Sequence, residues 1–231
     1  MTLTGRKKEI FDILCVKQRM SVSELSKMLF VSEMTIRRDL AEMEKQGFLR
    51  RYRGGAIINQ EINEMPVYQR MFCKEEEKKQ LSKKVEKYLS NNMNVYIDSS
   101  STCQFIIPHI KKYDNIKIIT NSVQTLLNAA KLHIPCFVIG GEYFEQDMCF
   151  VGSVAEKSAE KINADIAFFS TRGLSDDGVI SDSDIKQTMV RYIIMQNAKK
   201  NIFLFENTKL GKKFLHTLCY KDNADDIIVI D

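Results

Sequence analysis

Hydroxyl and guanidinium side chains are concentrated between Ser32 and Arg38. When such groups project from the start of one helix, they can form hydrogen bonds with DNA base edges and ion pairs with phosphates. Ile36, Leu40 and Met43 are spaced as the buried face of that helix, so the polar residues between them point away from the core. The candidate DNA contacts on its exposed, N-terminal half are Ser32, Glu33, Thr35, Arg37 and Arg38.

Two short helices separated by a tight break are predicted to position these side chains. Ser21 and Glu24 have the spacing of a capping box, which begins the first helix, and Ser21 is also a candidate DNA contact. Ser32 caps the second helix, and a further helix from Gly5 to Gln18 is expected to pack beneath both. The predicted apolar face of the first capped helix consists of Leu25, Met28 and Leu29.

A basic hairpin is predicted directly after the second helix. Gln46-Gly47 has the character of a helix C-cap, and FLRRYRGGAII then alternates apolar and basic residues around a Gly-Gly turn. Such a wing can contact a phosphate backbone. The alternative is an ordinary helical hairpin with a solvated basic face, which the agreement of caps, apolar triplet and basic hairpin disfavours. The candidate contacts of the wing are Arg50, Arg51 and Arg53.

The segment VSEMTIRRDLAEMEKQGFLRRYRGGA closely resembles the helix-turn-helix of DeoR-type bacterial transcriptional regulators. The match is most specific at T-I-R-R-D-L and at the R-x-x-R-G-G-A-like wing. The resemblance implies a double-stranded DNA operator as the partner and repression as the activity. A homo-oligomer is expected, because one recognition helix reads too few base pairs for useful specificity.

The composition is globular, and the charge is unevenly distributed. Of the 231 residues, 44% are hydrophobic and 28% are charged, which excludes a disordered chain. The net charge is +4. Through Asn59 there are twelve basic and seven acidic residues, a net charge of +5, so the remainder carries −1. This distribution is typical of a DNA-binding head on a neutral body.

The six cysteines are scattered, and none forms a C-x-x-C motif. A zinc site is therefore not expected, and no other metal or cofactor is indicated. Most of the cysteines are predicted to be buried free thiols, which is consistent with a reducing cytoplasm. Neither a membrane-spanning run nor a signal peptide is found, so we expect a cytoplasmic protein without membrane contact.

The remainder of the chain alternates short apolar runs with helical segments. We predict a DNA-binding domain over 1–58, a linker over 59–74 and an α/β domain over 75–231. The pattern favours a mostly parallel, Rossmann-like sheet covered on both faces. The predicted strands are Val95–Ile97, Ile116–Ile119, Cys136–Ile139, Ile166–Phe169, Ile202–Phe205 and Ile227–Ile230. The predicted helices are Glu75–Leu89, Thr102–Lys112, Ser122–Leu132, Ser153–Lys161, Ile185–Ala198 and a weaker one near Lys212–Cys219.

Polar residues follow five of these strands. Ligands of open parallel sheets bind beyond the carboxyl ends of the strands, and amides and hydroxyls at a helix start can bind an anion. Each segment alone could be a cap or turn, but five in a row favour a pocket for a polar small molecule. The segments are Asp98–Thr102, Thr120-Asn121-Ser122, Gly140-Gly141-Glu142, Ser170-Thr171-Arg172-Gly173 and Glu206-Asn207-Thr208-Lys209.

DSSST, TNS, GGE, FVGSVAE, DIAFF and TKLGKK resemble the effector domain of DeoR-type regulators, which is similar to sugar-phosphate isomerases of the ribose-5-phosphate isomerase type. The resemblance implies a phosphorylated sugar or related metabolite as the effector. Departures from the family pattern are Ser99 and Ser100 in place of glycines, Glu206-Asn207-Thr208-Lys209 in place of D-S-S-K, and Arg172. Carried over by position, the effector-binding candidates are Asp98, Ser99, Ser100, Ser101, Thr102, Thr120, Asn121, Ser122, Gly140, Gly141, Arg172, Gly173, Lys186 and Lys209.

Two alternatives to an effector-responsive repressor stay open. The first is a sugar-phosphate isomerase with an appended DNA-binding head, although its available carboxylates show no spacing typical of a catalytic pair. The histidines His109, His133 and His216 are expected in or near helices, away from the strand ends. The second alternative is a DNA-binding head on an oligomerising body that senses nothing. We expect no enzyme and no catalytic residues.

Overall fold

The computed structural model of the protein describes residues 3–58 and 65–230. It divides into two compact units, Met1–Glu75 and Glu76–Asp231, which we call the head and the body. Among the helices of these described residues, none combines the length and the apolar character needed to cross a bilayer.

The head is a winged helix-turn-helix, as the sequence predicted. β3 lies between β1 and β2 and is antiparallel to both, so the basic hairpin forms the wing. In chain order the elements are α1 (Arg6–Lys17), β1 (Arg19–Ser21), α2 (Val22–Leu29), α3 (Glu33–Lys45), β2 (Arg50–Tyr52) and β3 (Gly55–Ile57).

Buried apolar side chains orient α3. Ile36, Leu40 and Met43 are at most 1% exposed, which confirms the predicted inward face. Leu25 of α2 is buried too, whereas Met28 is 49% exposed, so the apolar face of α2 is narrower than expected. The core of the head therefore holds α3 by one side and leaves its other side in solvent.

Both predicted helix caps are present. The Ser21 hydroxyl accepts a hydrogen bond from the Glu24 amide, and the Glu24 carboxylate accepts one from the Ser21 amide, which is a capping box. The Ser32 hydroxyl accepts from the Thr35 amide at 3.3 Å. Such caps are worth about 1 kcal/mol each and fix where α2 and α3 begin.

The structure places residues 65–74 of the predicted linker 59–74 in the head. The first part of that linker, residues 59–64, lies outside the described residues. Phe48 of the head is edge-on to two rings of the segment, with centroids 6.1 Å from Tyr68 and 5.8 Å from Phe72. The segment contributes to the apolar core of the head and is not an extended connection.

A disulfide between Cys15 and Cys73 joins α1 to the end of the head, just beyond α4 (Val67–Arg70). The two Cα atoms are 6.2 Å apart, and 58 residues separate them in sequence. The expectation of free thiols is wrong for this pair, because nothing in the local sequence indicates a partner so far along the chain. The free cysteines are Cys103, Cys149 and Cys219, which are buried, and Cys136, which is partly buried.

The body has a central sheet of six strands, in the order β14-β12-β9-β4-β5-β6, with every neighbouring pair parallel. This confirms the predicted parallel α/β fold. In chain order the elements are α5 (Glu75–Lys83), β4 (Asn94–Ile97), α6 (Ile107–Ile110), β5 (Lys117–Thr120), α7 (Val123–Lys131), β6 (Cys136–Val138), β7 (Glu142–Phe144), β8 (Cys149–Val151), α8 (Ser153–Ala159), β9 (Ile166–Phe169), β10 (Gly173–Leu174), β11 (Val179–Asp182), α9 (Ile185–Asn197), β12 (Asn201–Phe205), β13 (His216–Tyr220) and β14 (Asp226–Val229).

The two faces of the central sheet bury two separate cores. Because successive side chains of a strand point to opposite faces, each strand contributes to both cores. One core contains Ile97, Phe168 and Leu204, and the other contains Tyr96, Phe169 and Phe203. The continuous apolar runs of the sequence are explained by this burial on both faces.

A second, antiparallel sheet has the order β10-β11-β13. The sequence predicted a helix near Lys212–Cys219, and this was wrong, because β13 occupies the second half of that segment and pairs with β11. His216 accordingly lies on a strand and not in a helix. The pairing is between segments distant in sequence, so the local pattern of apolar residues could not reveal it.

Thiol counting tests the Cys15–Cys73 bond. Protein treated with a mild oxidant and then denatured should show four reactive thiols, and reduction should raise the number to all six cysteines. Because the bond closes a long loop, reduction should lower the free energy of unfolding of the head by about 2–4 kcal/mol. The measurement is the urea midpoint of the head with and without reductant.

The matched control is the double variant Cys15→Ala/Cys73→Ala, which should unfold at one urea concentration whether or not reductant is present. Six reactive thiols in the parent protein after treatment with the oxidant would contradict the bond.

Candidate functional site

Arg38 lies on the solvent side of α3, opposite the buried Ile36. Within the described residues, its guanidinium forms no hydrogen bond or ion pair with the protein. Its donors are therefore available to an external acceptor, and a guanidinium can donate two parallel hydrogen bonds to O6 and N7 of guanine.

Glu33 and Arg37 form an ion pair along α3, with 3.0 Å between the Arg37 guanidinium and the Glu33 carboxylate. The pair is one helical turn long, so it holds the Arg37 side chain along the exposed face. Thr35 is half-buried, and its hydroxyl oxygen lies 2.9 Å from that of Ser32. The Ser32 hydroxyl caps the helix, and both hydroxyls lie at the edge of the same face.

The amide and hydroxyl of Ser21 are both hydrogen-bonded to Glu24 at the start of α2. Its hydroxyl donates to the Glu24 carboxylate at 2.6 Å and accepts from the Glu24 amide at 3.1 Å. These hydrogen bonds of Ser21 serve the cap of α2.

The wing presents Arg50 and Arg53 to solvent, while Arg51 is held against α3. The Arg51 guanidinium and amide donate to the two carboxylate oxygens of Glu44 at 2.7 and 2.8 Å. The hydrogen bond from this amide lowers the pKa of the Glu44 carboxyl. Arg51 therefore fixes the wing to α3, and Arg50 and Arg53 are the free cations of the described part of the wing.

A packed aromatic ring sets the shape of the wing. Arg19 lies over the Tyr52 ring at 4.2 Å from its centroid. On the other strand, a Cβ at Gly55 would lie 2.3 Å from the Tyr52 hydroxyl and from the Met20 carbonyl oxygen, so only glycine fits there. Gly54 has φ of +95°, which a residue with a side chain rarely adopts. Gly55 is thus required by the close approach of Tyr52 and Met20, and Gly54 by its positive φ.

A buried chain of ion pairs lies at the carboxyl ends of the strands in the body. Arg191 of α9 donates to Asp98 at 2.9 Å and to Asp182 at 2.7 Å. Arg172 donates to Asp182 at 3.2 Å and to Asp147 at 3.3 Å. All five side chains are at most 6% exposed. Arg172, a predicted phosphate ligand, is therefore bound to two carboxylates of the protein itself.

A second buried cluster contains two lysines. Glu206 accepts a hydrogen bond from the Thr102 hydroxyl at 2.5 Å, and its carboxylate lies 3.8 Å from the ammonium of Lys78 and 3.9 Å from that of Lys209. Lys209 also donates to the Ser170 hydroxyl at 2.8 Å. Since the Ser170 amide donates to Asp98 at 3.4 Å, this residue connects the two clusters.

The remaining loop residues after β4 and β5 are buried, and most of them are hydrogen-bonded within the protein. Ser99 donates to Gln187, whose amide group donates to Asp147. Ser100 accepts from the Cys103 amide, and Ser122 caps α7 by accepting from the Thr125 amide. Ser101, Thr120 and Asn121 are also buried.

Other predicted ligand residues lie elsewhere or act through their backbone. Lys186 is at the surface, where its ammonium is 2.8 Å from both carboxylate oxygens of Glu142. Gly140 is exposed. A Cβ at Gly141 would lie 2.6 Å from the Val151 carbonyl oxygen, and one at Gly173 would lie 2.5 Å from the Lys212 carbonyl oxygen. These two glycines allow close chain packing.

Sequence reasoning missed Lys78, Arg191, Asp147 and Gln187. Lys78 lies in the predicted helix Glu75–Leu89 but was not among the predicted site residues, and it is only 1% exposed. Its spacing of three residues from Leu81 could have indicated a buried charge, because it places the lysine on the apolar face of α5. Arg191 carries the same signal on α9, three residues before the buried Ile194.

Comparisons with known proteins agree with both units. Residues 6–62 match the family model of the DeoR-like helix-turn-helix domain, and residues 73–231 match that of the DeoR C terminal sensor domain.

Three relatives are similar over almost the whole chain. The uncharacterized HTH-type transcriptional regulator YulB of Bacillus subtilis (strain 168) is 29% identical, over 96% of this chain and 87% of that protein. The lactose phosphotransferase system repressor of Staphylococcus epidermidis is 27% identical, over 95% and 88%. The glycerol-3-phosphate regulon repressor of Escherichia coli (strain K12) is 25% identical, over 92% and 84%.

Two solved structures share part of the chain path. Ribose 5-phosphate isomerase from Plasmodium falciparum gives a TM-score of 0.43 at 18% identity, over 58% of this chain and 52% of that one. The full-length sorbitol operon regulator SorC from Klebsiella pneumoniae gives 0.41 at 12% identity, over 99% and 97%. The family assignment rests on the sequence models, which account for residues 6–62 and 73–231, and on this basis the chain belongs to the DeoR family of transcriptional regulators.

Proposed function

We propose that the protein is a repressor that binds operator DNA through α3 and the wing and responds to a small phosphorylated metabolite bound in the body. The observation that carries the DNA-binding part is the exposed, unpaired guanidinium of Arg38 on a capped helix whose other face is buried. Arg50 and Arg53 of the wing supply cations for the phosphate backbone.

Two of the relatives support repression and a link to sugar-related metabolism, since one is described as a lactose phosphotransferase system repressor and the other as a glycerol-3-phosphate regulon repressor. In both comparisons the similarity includes the body as well as the head. We infer the same general class of activity here, with an effector of this chemical kind.

The effector site that we propose is the buried region around Thr102, Lys78 and Lys209. Two ammonium groups and the hydroxyls of Thr102 and Ser170 converge there, around the Glu206 carboxylate at the carboxyl ends of β4, β9 and β12. Ammonium and hydroxyl groups are suitable ligands for a phosphate. Arg172 is a less suitable ligand than expected, because binding an effector would require it to leave Asp147 and Asp182.

Operator recognition by one α3 helix would specify few base pairs, so we propose a homo-oligomer on a repeated operator.

We also propose a cytoplasmic location, where the DNA of a bacterium lies. A reducing cytoplasm would keep Cys15 and Cys73 as thiols, so the disulfide-bonded form would arise on exposure to an oxidant.

Catalysis by the body is the alternative, and the site gives it little support. Isomerisation needs a free general base, yet Asp98, Asp147 and Asp182 each accept from a guanidinium. Burial raises the pKa of Cys149 and of Cys219 to about 12, so neither is a thiolate at neutral pH. Conversion of pentose or hexose phosphates between aldose and ketose at ordinary enzyme rates would revive this alternative.

Arg38→Ala should weaken binding to the preferred operator by about 1–3 kcal/mol and relax the base preference at one position, because a guanidinium contact with a base edge is lost. The measurement is affinity for duplexes that the parent protein selects from a random pool. Lys161→Ala, at an exposed lysine of the body, is the control and should leave the affinity unchanged. An Arg38→Ala protein that bound every sequence as tightly as the parent would show that Arg38 reads no base.

Lys209→Gln should weaken effector binding by about ten- to a hundredfold, because a hydrogen bond to a charged group contributes about 1.5–3 kcal/mol. The measurement is the thermal shift of the full chain with pentose and hexose phosphates, compared with the unphosphorylated sugars. DNA affinity without effector should be retained in the variant, which checks that it folds.

Lys186→Gln is the matched control, since Lys186 was also a predicted ligand but lies at the surface beside Glu142. It should keep the parent's thermal shift. The reverse pattern, with the response lost at Lys186 and kept at Lys209, would move the site to the surface. A parent protein that responds to none of these ligands would favour a body that only assembles the oligomer.

A further inference from the structure

Met34 is a large apolar side chain in the first turn of α3, and it is 71% exposed. It is not part of the head core, to which this helix contributes Ile36, Leu40 and Met43. At about 100° per residue, Met34 lies between Arg37 and Arg38 around the helix and nearly opposite Met43. An exposed methionine thus sits in the middle of the surface that we assign to DNA.

The chemistry of this side chain differs from that of its neighbours. Arg38 can donate to a base edge, and Glu33 and Arg37 are bound to each other. Methionine donates no hydrogen bond and presents a flexible, polarizable apolar surface. In the major groove the C5-methyl of thymine is the apolar feature that distinguishes base pairs.

We propose that Met34 is a specificity-determining residue that selects a thymine through contact with its C5-methyl, next to the base pair that Arg38 reads. The inference depends on the proposed binding of operator DNA by α3. It adds an apolar contribution to base selection that the sequence reasoning, which considered only hydroxyls and charges, passed over.

A second apolar surface lies near Met34 in the chain and offers a different explanation. Phe30, in the turn between α2 and α3, is 94% exposed, and Met28 is 49% exposed. These residues together could form a contact with another protein. The position of Met34 between two arginines favours DNA, since a docking surface for an apolar partner would be interrupted by two guanidinium groups.

The first test is selection of duplexes from a random pool with the full-length parent, Met34→Ala and Met28→Ala. We expect the parent to select a thymine at one position, Met34→Ala to lose the preference at that position alone, and Met28→Ala to select as the parent does. Identical preferences in the parent and in Met34→Ala would overturn the inference and leave the protein-contact explanation. If the parent selects no common sequence, the proposed function itself fails.

The second test removes only the methyl group. In the duplex selected by the parent, the thymine is replaced by deoxyuridine, and affinities are measured for the parent and for Met34→Ala. Burial of one such group is worth about fourfold in affinity, so the parent should bind the deoxyuridine duplex about fourfold more weakly. Met34→Ala should bind both duplexes equally, and an equal loss in both proteins would overturn the assignment to Met34.

Discussion

The packing of Ile36, Leu40 and Met43 into the core of the head determines which side of α3 faces solvent. Because these three side chains occupy one side of α3, the opposite side is held in solvent, and its residues need no further positioning by distant parts of the chain. The Ser32 cap fixes where the helix begins, and the ion pair between Arg51 and Glu44 fixes the wing beside it. Apolar burial thus determines which side of α3 carries the exposed cations, and the polar contacts determine where the helix begins and where the wing lies beside it.

In the body the corresponding constraint is the pairing of buried charges. A buried ion loses its hydration and must be compensated by partners, so the arginines and aspartates at the strand ends are bound to one another. Arg191 joins a loop after β4 to the end of β11, and Arg172 extends the chain of ion pairs to Asp147. The same pairing gives each of Asp98, Asp147 and Asp182 a guanidinium partner.

Local patterns in the sequence predicted the structural features that are determined by residues close together in the chain. The capping box at Ser21, the inward face of α3 and the six parallel strands all follow from residues close together in the chain. The buried charge of Lys78 is paired with Glu206, and β13 is a strand because it pairs with β11. In both cases the partner is distant in sequence, so a local pattern could not reveal it. Lys186 was predicted to bind the effector from the resemblance to the family. In the structure it is exposed and paired with the Glu142 carboxylate. Met34 was not among the predicted DNA contacts, because only polar groups were considered as readers of DNA.

The disulfide between Cys15 and Cys73 closes a covalent ring that contains α2, α3 and the whole wing. In the oxidised protein, a protease that cuts anywhere within this ring cannot separate the two pieces, which stay joined through sulfur. An oxidised sample would therefore look intact on a denaturing gel run without thiol even when α3 has been severed. Only the lane run with thiol would show whether the chain has been cut, because the unreduced lane shows the pieces still joined by the disulfide.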